Sequence, residues 1–170
     1  MKKVLIIING YSGVGKDTFA DKAIREFESN GIAASKFSSI DNVKSAMTLL
    51  GWNGERNAVS RQIMSDLKDM STSKWNGPMR SMELYIKNSE SRVIFLAIRE
   101  PEEIGKFVDQ FPGTKTLLIE KKGVSQYHNH ADQGIRAYPY DEIIYNNSTL
   151  EALHISVTGY VSDIVSEDNW

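Results

Sequence analysis

Cysteine is absent from this chain of 170 residues. That excludes disulfides, thiolate metal sites and cysteine nucleophiles. An excess of either charge is missing too: 20 Lys and Arg against 22 Asp and Glu leave a formal net charge of −2. Such a balance gives no bulk electrostatic drive towards nucleic acid or an anionic membrane. No apolar stretch is long enough to cross a bilayer. The run after Met1-Lys2-Lys3, Val4 to Ile8, is too short for a signal peptide and reads as a core strand, so the chain is expected to be cytoplasmic. Internal repeats, linkers and low-complexity tracts are absent as well. What remains is ordinary globular material, 41% hydrophobic and 25% charged, of a size that one domain can bury.

The chain is organised around Val4 to Thr18, VLIIINGYSGVGKDT. Its unbroken apolar run is the pattern of a strand buried on both faces of a parallel sheet. The run breaks at Asn9-Gly10, glycines recur at Gly13 and Gly15, and Lys16-Asp17-Thr18 open an amphipathic helix with Phe19, Ala23, Ile24 and Phe27 on one face. Strand, glycine loop, lysine and helix together suit the phosphates of a nucleotide. Glycines let backbone N–H groups turn onto oxyanions, the helix N-terminus adds partial positive charge, and Lys16 adds a full one on a long stem.

Gly10, four residues, then Gly15-Lys16 is the spacing of a P-loop. Asp17 follows the lysine where Ser or Thr is commoner, and Thr18 comes one later. In this the chain resembles nucleoside monophosphate kinases, and its Gly-Lys-Asp-Thr version is most similar to phage-type deoxynucleoside monophosphate kinases and animal phosphomevalonate kinases. The resemblance implies ATP and Mg²⁺ as cofactors, with Gly10, Ser12, Gly13, Val14, Gly15, Lys16, Asp17 and Thr18 around the phosphates and Asp17 and Thr18 near the metal. It also implies a small phosphorylated acceptor, foremost a (deoxy)nucleoside monophosphate, and a monomer or homodimer. A kinase of another phosphorylated metabolite, such as phosphomevalonate, is the alternative within that class.

Further along, Asn30-Gly31 stops the first helix, and Ile32 to Ile40 reads as a second strand leading into a helix with Val43, Met47 and Leu50 on one face. Asp41 and Lys44 match the acidic and basic pair that, in adenylate-kinase-like enzymes, grips the acceptor's phosphate. Helix capping by Ser39 or Asp41 beside a solvated lysine explains them too. About 41–78 should form an acceptor-binding insertion carrying a helix with Val59, Ile63, Leu67 and Met70. Arg61 and Arg56 there suit phosphate or plain solvation, and Trp52 and Trp75 suit base stacking or packing.

A short helix over about 78–87 precedes a buried strand, Val93 to Ile98, which ends in Arg99-Glu100-Pro101. Strand ends beside a P-loop form the ligand crevice of such sheets, so Arg99 becomes a candidate for the transferring phosphates. Ala97 stands where the resembled kinases place an aspartate, leaving Asp17 or Glu100 to supply the metal shell. It also keeps open a nucleotide-binding module without turnover. Glu102 and Glu103 suit a helix start. Thr114 to Glu120 is a fourth strand. Residues 121–140 lack any period and are expected to form a lid with Lys121, Lys122 and Arg136 as its cations. A zinc site from His128, His130 and Asp132 is conceivable but lacks a helix or strand to frame it. Asp141 to Tyr145 is a short fifth strand. Ser148 and Glu151 fit a capping box for a last helix striped by Leu150, Leu153, Val157, Val161 and Ile164. The expected architecture is therefore a three-layer α/β/α sandwich with a five-stranded parallel sheet, a single P-loop kinase domain over residues 1–170.

Overall fold

The structure is a computed structural model and describes residues 3–124 and 134–167. Five strands alternate with six helices: β1 (Val4–Asn9), α1 (Lys16–Ser29), β2 (Ala34–Ser38), α2 (Asp41–Leu49), α3 (Ala58–Trp75), α4 (Gly77–Asn88), β3 (Val93–Ala97), α5 (Pro101–Gln110), β4 (Lys115–Glu120), β5 (Glu142–Tyr145) and α6 (Leu150–Glu167). The strands form one sheet in the order β2-β3-β1-β4-β5. β1 pairs in parallel with β3 (Ile6↔Phe95) and with β4 (Ile8↔Leu117), and β4 pairs in parallel with β5 (Ile119↔Ile144). The expected sandwich with its five-stranded parallel sheet is the fold observed.

The order of the strands dictates which face each connection covers. From β1 the chain moves outward to β2 and back to β3, then passes over β1 to β4 and on to β5. Right-handed crossovers in opposite directions must lie on opposite faces. α1 accordingly packs one face with α6: Phe19, Ala23 and Phe27 join Leu153, Val157, Val161 and Ile164 in one buried cluster with Ile6, Ile8, Phe95, Leu117, Ile119 and Ile144. The ring of Phe19 meets Tyr160 edge-on at 5.6 Å. Strand alternation turns Leu5, Ile7, Ile94, Leu96 and Leu118, all buried, to the other face. That is the side of the β3–α5–β4 crossover, whose helix buries Ile104 and Phe107.

By its internal contacts the chain divides into two compact units, residues 1–36 with 90–170, and residues 37–89. The expected 41–78 insertion falls inside the second. Within that unit α2 packs on α3 and α3 on α4, Asn42 donates to Ser81 Oγ at 2.6 Å, and Phe37 stacks on Tyr85.

Several local expectations are corrected. β2 is shorter than the 32–40 stretch. α2 stops at Leu49, and Leu50, expected on its apolar face, is 81% exposed because it lies beyond the last turn. Neither Ser39 nor Asp41 caps α2: Ile40 holds the cap position, and Asp41 Oδ2 instead accepts from the Ser38 N–H at 2.8 Å. The α6 cap is Thr149, not Ser148, since Thr149 Oγ1 accepts from the Ala152 N–H three residues on. Glu151 sits one residue short of the box position, and bonds to its own backbone N–H and to Thr149 hold its carboxyl below the usual range. Of the stretch expected as a lid, 125–133 lie outside the described residues, and so do His128, His130 and Asp132.

Candidate phosphate-binding site

β1 is the strand from which the strand order runs out in opposite directions, and its C-terminal end is where a crevice opens in sheets of this kind. Asn9 closes the strand, and Gly10 to Gly15 form the loop. Three of its backbone positions need glycine, with φ of 142° at Gly10, 83° at Gly13 and 100° at Gly15. The positions differ in what surrounds them. A β-carbon on Gly10 would stand 2.3 Å from the Ile119 carbonyl oxygen, and one on Gly15 would stand 2.5 Å from Asn146 Nδ2, whereas Gly13 faces open space. The loop is thus wedged against β4 and the turn after β5, and only its crown is free. Val14, buried, pins its underside.

Lys16 is the first residue of α1, and its ammonium folds back into the loop. It donates to the Gly10 carbonyl at 2.5 Å and to the Tyr11 carbonyl at 2.8 Å. Val14 N–H also points to the Tyr11 carbonyl, at 3.5 Å. A cation enclosed by glycine backbone at a helix N-terminus is a place for an oxyanion. The glycine loop, with its lysine, therefore fits a polyphosphate. Asp17 and Thr18 sit exposed in the first turn of α1. Among the described residues no cluster of three or more His, Asp or Glu could hold a metal ion. If Mg²⁺ binds with a nucleotide here, the Asp17 and Thr18 oxygens are the side-chain donors that the start of α1 presents, with phosphates and water to complete a shell.

The other expected site residues divide between the two units. Arg99 follows β3 beside the loop, where its carbonyl accepts from Asn9 Nδ2 at 2.9 Å. Ala97, level with Ile8 across β1, packs its methyl against the apolar cluster. Glu100 caps α5 by position and has a carboxylate oxygen, Oε2, withdrawn from solvent. Arg136, in a single 3-10 turn (Ile135–Ala137), pairs with Glu120 Oε1 at 2.5 Å and lies over the Tyr11 ring at 5.9 Å from its centroid. It is the expected lid cation that stands at the loop. The Lys122 N–H reaches Asn147 Oδ1 at 2.6 Å. In the second unit Asp41 holds Lys44 at 2.9 Å, so Asp41 orients the lysine. Arg61 is exposed on α3, as is Arg56 before it. Trp52 donates its indole N–H to the Glu55 carbonyl, while Trp75 is exposed.

Three residues hold the loop, and two of them, Asn9 and Tyr140, were given no role from the sequence. Asn146 donates from Nδ2 to the Val14 carbonyl at 2.9 Å, while its own N–H bonds the Glu120 carbonyl at 2.7 Å. Asn9 and Tyr140 meet at 2.7 Å under the loop. A polar side chain closing an otherwise all-apolar strand was the available signal for Asn9.

No family model matches the chain, and no curated protein matches it. Solved structures match over nearly its full length at low identity. A sugar kinase from Janibacter sp. is 14% identical, with 94% of this chain and 95% of that one covered, at a TM-score of 0.50. Shikimate kinase from Bacteroides thetaiotaomicron is 14% identical over 96% of this chain and 98% of that one, at 0.51. Shikimate kinase from Aquifex aeolicus is 12% identical over 97% and 100%, at 0.50. The chain has the fold of P-loop kinases.

Proposed function

We propose that the chain is an ATP-dependent kinase acting on a small phosphorylated acceptor, foremost a (deoxy)nucleoside monophosphate. The observation that carries this is the lysine-filled glycine loop at the end of the strand from which the strand order runs out in opposite directions. Bound ATP with Mg²⁺ would supply the activated phosphoryl group. Lys16 and the loop amides would neutralise the β- and γ-phosphates, and the oxygens of Asp17 and Thr18 would hold the metal. Arg99, whose backbone meets the loop through Asn9, and Arg136, which lies over Tyr11, would supply positive charge as the transferring group gains negative charge. On the second unit we assign Lys44, oriented by Asp41, and Arg61 to the acceptor's phosphate. A phosphate acceptor is already an anion, so no general base is required. The choice of a monophosphate rests on the Gly-Lys-Asp-Thr sequence and the Asp41/Lys44 pair.

Purified protein with ATP, Mg²⁺ and a panel of monophosphates tests this: ADP release should depend on one class of nucleoside monophosphate. Release with phosphomevalonate alone would move the acceptor to that alternative. Ala97 favours a second reading, a nucleotide-binding module without turnover, because a methyl packed in the core takes the place of a metal-shell acid. ATP binding with no ADP release across the whole panel would establish it.

If Asp17 stands in for that acid, Asp17→Asn should raise the Mg²⁺ concentration needed for half-maximal turnover more than it raises the KM for ATP, since the amide keeps the shape and loses the charge. A role confined to the positive end of α1 is worth only about 0.3–1 kcal/mol and would lower thermal stability slightly. An unshifted Mg²⁺ titration at saturating ATP would remove Asp17 from the metal.

A further inference from the structure

Asn9 is fully buried at the end of β1, on the face opposite α1 and α6, and none of the chemistry above uses it. Its carboxamide is committed in three directions. Oδ1 accepts from the Gly10 N–H at 2.7 Å, and Nδ2 donates to the Arg99 carbonyl at 2.9 Å and to the Tyr140 hydroxyl at 2.7 Å. The amide cannot be flipped: a backbone N–H needs the oxygen and a backbone carbonyl needs the nitrogen. Tyr140 must therefore accept from Asn9. Burial raises the pKa of its phenol, which stays protonated around neutrality.

Tyr140 ends the stretch that crosses this face of the sheet to reach β5. Ile135 anchors that stretch in the core, Arg136 lies over Tyr11, and Tyr140 reaches Asn9. The same few residues thus touch the phosphate loop at Tyr11 and at the Asn9–Gly10 link. Gly10 has a φ of 142°, a conformation that favours glycine, and Asn9 Oδ1 holds its N–H there.

We propose that Asn9 and Tyr140 form a positioning pair that ties the conformation of Gly10 in the phosphate loop to the seating of residues 134–140. Nucleotide affinity then depends on a phenol beneath the loop. The proposal rests on the nucleotide reading above. It differs from a packing role in one respect: the two side chains act on ATP through a single link, so their effects do not add.

The test is ATP affinity with Mg²⁺ and no acceptor, by titration calorimetry, alongside unfolding temperatures. The proteins are wild type, Tyr140→Phe, Asn9→Ala and the double variant. Tyr140→Phe should weaken ATP binding about 3- to 10-fold and Asn9→Ala about 10-fold or more, with the double variant no weaker than Asn9→Ala. Multiplied effects in the double variant would overturn the pair. So would a Tyr140→Phe protein with a lower unfolding temperature and unchanged ATP affinity. Should Asn9→Ala not fold, Tyr140→Phe alone decides by that same criterion. Wild-type protein that binds no ATP would overturn the nucleotide reading and the pair with it, whereas wild-type binding untouched by Tyr140→Phe overturns the pair alone.

Discussion

Lys16→Ala is expected to slow phosphoryl transfer about a thousandfold and to leave the fold in place. The two effects separate because of where the ammonium sits. It bonds the Gly10 and Tyr11 carbonyls at the surface of the loop, and the core cluster does not include it. Losing those bonds should cost about 1 kcal/mol of stability, or roughly 2–4 °C in unfolding temperature. In the proposed reaction the same charge would face the nucleotide phosphates, where one preorganised cation is worth several kcal/mol. Initial rates at saturating ATP, with the unfolding temperature measured on the same preparation, check both. More than about a tenth of the wild-type rate in a folded variant would remove Lys16 from the transfer step.

Gly10→Ala should act first on the fold. Its φ of 142° is closed to alanine, and the new methyl would stand 2.3 Å from the Ile119 carbonyl oxygen and 2.9 Å from Val14 Cγ2. Ile119 is held in β4 and Val14 is buried, so neither can yield cheaply. Backbone strain and the clash together should cost at least about 3 kcal/mol, or roughly 6–12 °C. Gly13→Ala is the matched control. Its φ is also left-handed, at 83°, but the methyl would enter open space, so about 1–2 kcal/mol is expected. Equal thermal losses in the two variants would show that the wedge against β4 contributes nothing.

The sheet was legible because its inner strands carry their own signal. VLIII and VIFLA are unbroken apolar runs, which only a strand covered on both faces can sustain, and each ends at a glycine loop or an Arg-Glu-Pro turn. Lys16 and the three glycines were legible because the phosphate loop is a local device within seven residues. The second unit was legible as helices but not in its packing. Val59, Ile63 and Met70 have helical spacing, but spacing does not say whether anything covers the face, and Val59 is 68% exposed. The α6 cap failed for a smaller reason, since Ser148 and Thr149, adjacent and of similar chemistry, compete for one position, whereas at α2 the cap position falls to Ile40 with no side-chain cap at all. Asn9 was invisible as a hub because its partners Arg99 and Tyr140 are 90 and 131 residues away along the chain.

Such distances also bear on the order in which the molecule is made. β1 precedes the other four strands in the chain and lies at the centre of the sheet, yet both of its neighbours, β3 and β4, lie more than 80 residues further along. Its apolar run must wait for them, and the loop's tie to Asn146 closes only after 132 residues. Long-range parallel pairing of this kind is slow and leaves sticky segments uncovered on the way. During synthesis β1 leaves the ribosome well before the strands that cover its edges, and a nascent chain halted before β3 would present VLIII to chaperones with no neighbouring strand to shield it.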